Sequence, residues 1–344
     1  MISVKWQDNQ VAMIDQTKLP HSYEVIKTRD LNRIAEAIYK LEIRGGPAIG
    51  VTVAYGMAIA AQDSKGMNVK EILNNLEEAK KILNVRPTAS NLVWGLEHME
   101  NYAKKLLKED PTVELGELMV EEAKRLAANE IETNLKMAEF GMQVIPDNAN
   151  IITQCNTGAL CTVGIGHVMG TVFYAHQQGK KLHVFTDETR PRLQGAKLNV
   201  YELDKNNIPY TLVTDNTAAY LMQLGKVDLV MVGADRMVAN GDAAAKIGVY
   251  MLAVLAHFHK IPFYMFATTA TIDMKTKTGK GIEIEERDPD EVRVIDGAQI
   301  TIPNANVLNY AFDVTPHELY TAIITERGII IPPFDENIKK LMAS

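Results

Sequence analysis

Ala149-Asn150-Ile151-Ile152-Thr153-Gln154-Cys155-Asn156-Thr157-Gly158-Ala159-Leu160 decides the fold. Ala149 to Thr153 carry no charge and read as a short buried strand, and the residues from Gly158 onward predict a helix. Cys155 then lies at the carboxyl end of a strand, facing the backbone N–H groups of a helix N-terminus. That position lowers a thiol's pKa and favours bound anions, and it is where open α/β sheets carry their active sites. The plain alternative is a small buried hydrophobe, as free cysteines often are; Cys161 reads that way.

Outward from this strand the same rhythm repeats. Apolar runs at Leu182–Thr186, Tyr210–Thr214, Leu229–Val232 and Phe263–Ala267 alternate with helix-length segments, the pattern of βαβ units and a parallel sheet. Each run ends on polar residues: Cys155, Asp187, Asp215, Asp235 and Thr268-Thr269. Polar strand ends at one sheet edge make a pocket. The alternative for Asp187 and Asp215 is that they cap the helices that follow.

The first 145 residues read as mostly helical. Trp6 to Ile14 predicts a small hairpin around Asp8-Asn9, and Asp30 to Lys40 a helix with Asp30 as N-cap. Ile49 to Ala61 is apolar nearly all round, hence a buried helix. Thr88 to Lys108 predicts another, entered through Arg86-Pro87, and Met119 to Met142 a long amphipathic one. Pro146 ends it and divides the chain into a mostly helical part, residues 1–145, and an α/β part, residues 146–344.

Composition narrows the function classes. The chain has 344 residues, 47% of them hydrophobic, and can bury a full core. A net charge of -7 argues against broad nucleic-acid binding. Two cysteines make no disulfide framework, which suits a reducing cytoplasm. There is no membrane-length apolar run, no signal-peptide pattern, no HExxH and no Cys/His cluster with zinc spacing. Neither a membrane nor a metal is expected.

Four further segments carry unusual local chemistry. Arg44-Gly45-Gly46-Pro47-Ala48-Ile49-Gly50 frees the backbone to approach a ligand just before a helix, with Arg44 as a phosphate fork, but it lacks the Gly-Lys-Ser/Thr of a Walker loop. Arg86 precedes a helix-opening proline, where a surface ion pair is the plain alternative. Asp187-Glu188-Thr189-Arg190-Pro191-Arg192-Leu193-Gln194-Gly195 crowds acids, arginines and an amide into one loop. In Gly233-Ala234-Asp235-Arg236, burial would raise the carboxyl's pKa and suit it to acid–base work, unless Arg236 simply neutralises it. Asn240 and Lys246 follow, Lys246 as a point charge for phosphate. Gly164-Ile165-Gly166-His167-Val168-Met169-Gly170 imitates a dinucleotide fingerprint but has the wrong spacing and falls inside the expected helix, which discounts a nicotinamide dehydrogenase.

In this order the segments resemble the methylthioribose-1-phosphate isomerase family. The carriers are DQTKLP (15–20), RGGPAIG (44–50), RPTASNL (86–92), CNTGAL (155–160), FTDETRPRLQGAKL (185–198), VGADRMVANGD (232–242), KIG (246–248) and AFDVTP (311–316), so the likeness spans nearly the whole chain. The same fold family includes regulatory subunits of a translation-initiation exchange factor, which are not expected to keep Cys155 and Asp235 together. The resemblance implies a helical N-terminal domain beside a Rossmann-like parallel-sheet domain in a cytoplasmic homodimer, with no metal or nucleotide cofactor. It implies Cys155 and Asp235 as the catalytic pair, and Arg44, Gly45, Gly46, Arg86, Gln194 and Lys246 as sugar-phosphate ligands. Asn240 is a further candidate for the ring hydroxyls.

The implied reaction converts 5-methylthioribose 1-phosphate to 5-methylthioribulose 1-phosphate, a step of methionine salvage. An aldose phosphorylated at C1 is locked as a ring, so the reaction needs ring opening and then movement of hydrogen from C2 to C1, through an enediol or as a hydride. Alternatives are 5-deoxyribose 1-phosphate as substrate, ribose 1,5-bisphosphate, or a non-catalytic role like that of the regulatory subunits. Gly46, Cys161, Tyr310 and Ala245 depart from the family pattern, and Ala245 removes an amide that would otherwise reach substrate.

Overall fold

The computed structural model describes residues 1–87 and 89–343. The chain forms two compact units, Met1–Glu132 with Ala159–Gly166, and Thr133–Gly158 with His167–Ser344. No helix among the described residues is long and apolar enough to cross a membrane.

In the first unit β1 (Val4–Gln7) and β2 (Gln10–Ile14) form the expected hairpin. Asp8 and Asn9 take φ +52 and +57, the left-handed pair that such a tight turn requires. A third strand, β3 (Val25–Thr28), joins β2. Helix α1 (Leu31–Tyr39) opens on Asp30, whose side chain accepts the Asn32 N–H. Helix α2 (Gly46–Asp63) is buried from Ala48 to Ala61, as its apolar circumference demands. Helix α3 (Val69–Leu83) had no strong apolar signal. It starts on a capping box between Asn68 and Glu71 and buries only Ile72, Leu76, Ala79 and Leu83. Helix α4 (Ser90–Glu109) follows; Thr88, expected to open it, lies outside the described residues. Helix α5 (Leu115–Gly141) is the long amphipathic one.

The second unit is mixed α/β. Its elements are β4 (Ala149–Thr153), α6 (Val168–Gln177), β5 (Leu182–Asp187), α7 (Val200–Lys205), β6 (Tyr210–Val213), α8 (Thr217–Gln223), β7 (Leu229–Gly233), β8 (Arg236–Val238), β9 (Ala243–Lys246), α9 (Val249–His259), β10 (Phe263–Phe266), β11 (Ile272–Asp273), α10 (Asp290–Arg293), β12 (Val294–Ile295), β13 (Ala298–Gln299), β14 (Phe312–Thr315), β15 (Ala322–Thr325), β16 (Gly328–Ile330) and α11 (Phe334–Ala343). Seven strands form one sheet in the order β16-β15-β10-β7-β4-β5-β6. Every pairing in it is parallel except β15 with β16. Alternate residues of each strand enter opposite cores. Ile152, Val230, Val232 and Ile323 pack with α8, α9 and α11, while Ile151, Leu229, Met231 and Ile324 pack with α6. A sheet buried on both faces explains why its strands read as unbroken apolar runs. The smaller sheet β11-β8-β9-β14 gave no such runs.

The helix expected from Gly158 does not form. Residues 159–165 are turns and bends between bridge residues at Gly158 and Gly166, and α6 begins only at Val168. Gly166 sits at φ +94, outside the helical region. The segment is fixed by partners distant in sequence: Ser3 Oγ donates to Thr162 O (2.5 Å) and Gln16 Nε2 to Leu160 O (2.7 Å). The dinucleotide-like Gly164 and Gly166 therefore lie in a loop, not in a helix.

Ile152 is fully buried on β4, the strand that leads to Cys155. Ile152→Ala is expected to destabilise the second unit by about 2–5 kcal/mol, the range for a truncated core aliphatic. Urea titration would show it as a lowered midpoint, and an unchanged midpoint would contradict this account of the core.

Candidate active site

Strand register brings the polar strand ends to one edge. β4 pairs in parallel with β5 (Thr153 with Thr186) and with β7 (Ile152 with Val230). Cys155 beyond β4, Asp187 at the end of β5 and Asp235 beyond β7 thus leave the same carboxyl edge, where an open sheet binds its ligand. Cys155 is half-buried and has φ +64. A non-glycine residue in that region carries about 1–2 kcal/mol of strain. Both of its peptide groups are held. Its N–H donates to Thr189 Oγ1 at 2.8 Å, and its carbonyl accepts from Asn199 Nδ2 at 2.7 Å. Asn199 also donates to Thr186 Oγ1 (3.0 Å). Asn156 Nδ2 donates to Asn199 Oδ1 (3.0 Å) and to Glu202 Oε1 (2.8 Å). A Cβ at Gly158 would lie 2.3 Å from the buried Glu202 carboxylate, so only glycine fits there. His167 N–H donates to Thr157 O at 2.8 Å and closes the neck of the 158–166 excursion. With no helix starting at Gly158, the expected helix field on the thiol is absent. Fixed hydrogen bonds orient Cys155 instead.

The loop after β5 holds the expected density of polar groups, differently arranged. Asp187 is fully buried, and neither carboxylate oxygen has a hydrogen-bond partner among the described residues. Burial pushes its pKa well above the usual carboxylate range, and the charges of Asp215 and Glu188 push the same way. Asp215 accepts the N–H groups of Thr189 (2.6 Å) and Arg190 (2.7 Å). Neither aspartate plays the helix-capping role that was its alternative. Arg192 pairs with Glu291 at 2.8 Å. Gln194 is buried, and its Oε1 has no partner among the described residues.

Asp235 differs from expectation. It is exposed rather than buried, and its backbone N–H donates to Ala244 O (2.9 Å). Arg236 binds Asp273 at 2.6 Å. Asn240 is committed to its own turn: Nδ2 donates to Asp242 Oδ2 (2.9 Å) and Oδ1 accepts the Asp242 N–H (3.1 Å). Lys246, at the end of β9, is buried; it donates to Ala311 O (3.1 Å) and lies 4.6 Å from the Phe312 ring centroid. Asp313 on β14 accepts the N–H groups of Gly248 and Tyr250 at the start of α9, and burial pushes its pKa up to about 6. Ala245 is fully buried in the core beneath β9.

In the first unit, Arg44, Gly45 and Gly46 lead directly into α2. Gly45 has φ +89, and a Cβ there would lie 1.9 Å from Cys161 O. Backbone N–H groups at this helix start favour an anion. Arg86 donates to Ile38 O (3.3 Å) and Tyr39 O (2.8 Å), carbonyls at the end of α1. Sequence reasoning missed Thr189, Asn199 and Glu202 as supports of Cys155. The only signal was the polar density of residues 187–195, which contains Thr189 but neither Asn199 nor Glu202.

A family model described as the Initiation factor 2 subunit family matches residues 42–332. A curated methylthioribose-1-phosphate isomerase of Desulforamulus reducens is 46% identical over 342 residues, 99% of each chain. One of Carboxydothermus hydrogenoformans is 47% identical over 343 residues, again 99% of each. The crystal structure of 5-methylthioribose 1-phosphate isomerase from Pyrococcus horikoshii OT3 is similar with a TM-score of 0.93 and 46% identity, covering 99% of this chain and 96% of that one. A structure titled translation initiation factor eIF-2B, subunit delta, from A. fulgidus is also similar, with a TM-score of 0.91, 42% identity and full coverage of both chains.

The Asp187 carboxyl gives a pH signature. In the unfolded chain it loses its proton near 3.8, whereas the folded state keeps it to higher pH. Its contribution to stability is therefore complete below that value and is lost as pH rises toward the folded pKa, by up to about 1.4 kcal/mol per pH unit. Asp187→Asn cannot ionise, so it is expected to gain on the parent protein in urea unfolding as pH rises from 4 to 8. A difference that is flat or falls with pH would refute a protonated Asp187.

Proposed function

Because the chain belongs to the Initiation factor 2 subunit family, and within it to the methylthioribose-1-phosphate isomerases, we propose that it converts 5-methylthioribose 1-phosphate to 5-methylthioribulose 1-phosphate in methionine salvage. The observation that carries this is 46% identity over 99% of the chain to relatives bearing that name. In this reading the mixed α/β unit, Thr133–Gly158 with His167–Ser344, acts as a Rossmann-like domain, its boundary at Glu132 rather than the expected Pro146. The protein works in the cytoplasm as a homodimer, for which the exposed apolar residues Val254 and Phe258, four apart on α9, are suited.

In the mechanism, Asp235 donates a proton to the ring oxygen as the bond from C1 to that oxygen breaks. Its exposed carboxyl becomes desolvated when the sugar covers it, which favours the protonated form and so keeps a proton on Asp235 to donate. Cys155 takes the proton from C2, and the electron pair left behind forms the C1–C2 double bond of an enediol phosphate. The Cys155 thiol returns the proton to C1, and the Asp235 carboxylate removes the proton from the C2 hydroxyl to leave the ketone. Each residue ends in its starting protonation state. Arg44, Gly45, Gly46, Arg86, Gln194 and Lys246 are the proposed sugar-phosphate ligands. Asn240, whose amide is spent in its own turn, acts by holding Asp242 rather than by touching hydroxyls.

The similarity to the structure titled as an initiation-factor subunit supports a second reading, a binding protein without turnover. A coupled assay of 5-methylthioribose 1-phosphate beside 5-deoxyribose 1-phosphate separates the readings. Ketose formation is expected, with preference for the methylthio sugar by about 10–200-fold, the discrimination available to an apolar pocket. Cys155→Ser and Asp235→Asn are each expected to lower turnover at least about a hundredfold. In deuterated water the product is expected to carry deuterium at C1. Full activity in either variant removes that residue from the mechanism, deuterium at C1 excludes a direct hydride shift, and no turnover of either sugar supports the binding protein.

A further inference from the structure

Cys155 has φ +64, a conformation L residues rarely adopt. Two side chains hold it from both ends of the residue. Thr189 Oγ1 accepts the Cys155 N–H, and Asn199 Nδ2 donates to the Cys155 carbonyl. Both side chains are completely buried, and both come from the connection between β5 and α7. Neither is free to move. Thr189 is itself at φ +64, its N–H is held by Asp215, and its hydroxyl donates to Asp187 O. Asn199 is fixed by Thr186 and by Asn156, and Asn156 in turn binds Glu202.

A chain that merely had to turn at this point would place glycine there, as it does at Gly45 and Gly248. Here a cysteine takes the strained conformation, and two buried polar side chains satisfy its peptide groups. Rotation of φ to the ordinary negative region would swing the Cβ and carry the sulfur with it. Backbone strain held by surrounding structure is characteristic of sites where a group must be presented in one direction.

We infer that Thr189 and Asn199 are positioning residues that clamp the Cys155 peptide in its left-handed conformation and thereby aim the thiol. The inference rests on the reading above in which Cys155 touches the substrate. Neither Thr189 nor Asn199 touches substrate; each acts through Cys155. The clamp draws both of its members from the segment that also carries Gln194, so the thiol and that proposed ligand are fixed by one rigid connection.

Thr189→Val removes the hydroxyl and keeps the shape, whereas Thr189→Ser keeps the hydroxyl. Two readouts are needed. One is kcat and KM with 5-methylthioribose 1-phosphate. The other is independent of turnover: the rate at which iodoacetamide alkylates Cys155 between pH 6 and 10, with the Cys155 and Cys161 peptides resolved by mass spectrometry. Thr189→Val is expected to lower kcat at least about tenfold with KM within about twofold, the pattern of a lost transition-state interaction. It is also expected to change the Cys155 alkylation rate at least about threefold, with Cys161 unaffected, because reactivity follows the thiol's surroundings. Thr189→Ser restores both. If Thr189→Val does not fold, Thr189→Ala and Asn199→Asp are read the same way. Alkylation and kcat both within about twofold of the parent protein would overturn the clamp. If instead Cys155→Ser keeps full turnover, the catalytic reading of Cys155 fails, and alkylation alone decides whether the clamp exists.

Discussion

The parallel pairing of β4 with β5 on one side and β7 on the other is the constraint on which the site depends. Parallel strands can be joined only by crossovers, so the six parallel strands of the seven-stranded sheet deliver their carboxyl ends to the same edge. Because β4 lies between its two neighbours, Cys155 emerges flanked by the loop after β5 and the loop after β7. No local preference of the CNTGAL segment accomplishes this. It follows from apolar residues on alternate sides of β4: Ile151 enters one core, Ile152 the other, and a slip by one residue would exchange them.

The carboxyl groups near this edge are sorted by environment rather than by sequence. Asp187 and Asp215 stand at equivalent places, after two neighbouring strands, and both read as possible helix caps. Asp215 meets two backbone N–H groups, whereas the side chain of Asp187 meets none among the described residues. Burial without a donor raises the pKa of Asp187, so it keeps its proton to higher pH than an ordinary carboxyl. The loop there packs tightly enough that Gly195 leaves no room for a Cβ against the Asp187 carbonyl.

The apolar runs of the central strands, the buried α2, the Asp8-Asn9 hairpin and the Asp30 cap were legible because each rests on a local signal: hydrophobic period, turn chemistry or capping. Residues 158–167 were not. Ala159, Leu160, Val163 and Ile165 imitate a buried helix, while the partners that forbid it, Ser3 and Gln16, lie more than a hundred residues away. The candidate site divides along the same line. Cys155 and Asp235 could be singled out by residue type and strand position, and the resemblance added their roles. Thr189 and Asn199 could not, because a threonine or asparagine in a polar loop has no distinguishing pattern until tertiary structure shows which peptide it serves. Asn240 differs in the opposite way: its hydrogen bonds are local, within one turn, where Asn is common for structural causes.

Burial also separates the two proposed catalytic groups. Cys155 is half-buried and held at both peptide groups, whereas Asp235 is exposed. A thiol that moves hydrogen between neighbouring carbons must be placed accurately before the sugar arrives, since both carbons sit on a rigid ring until it opens, and small misplacements lower rate steeply. A carboxyl that protonates a ring oxygen needs instead an environment that keeps it protonated, and the sugar phosphate itself supplies that by excluding water. The fold therefore places buried hydrogen bonds at Cys155 and leaves Asp235 at the exposed rim of the sheet edge, where a ligand would cover it.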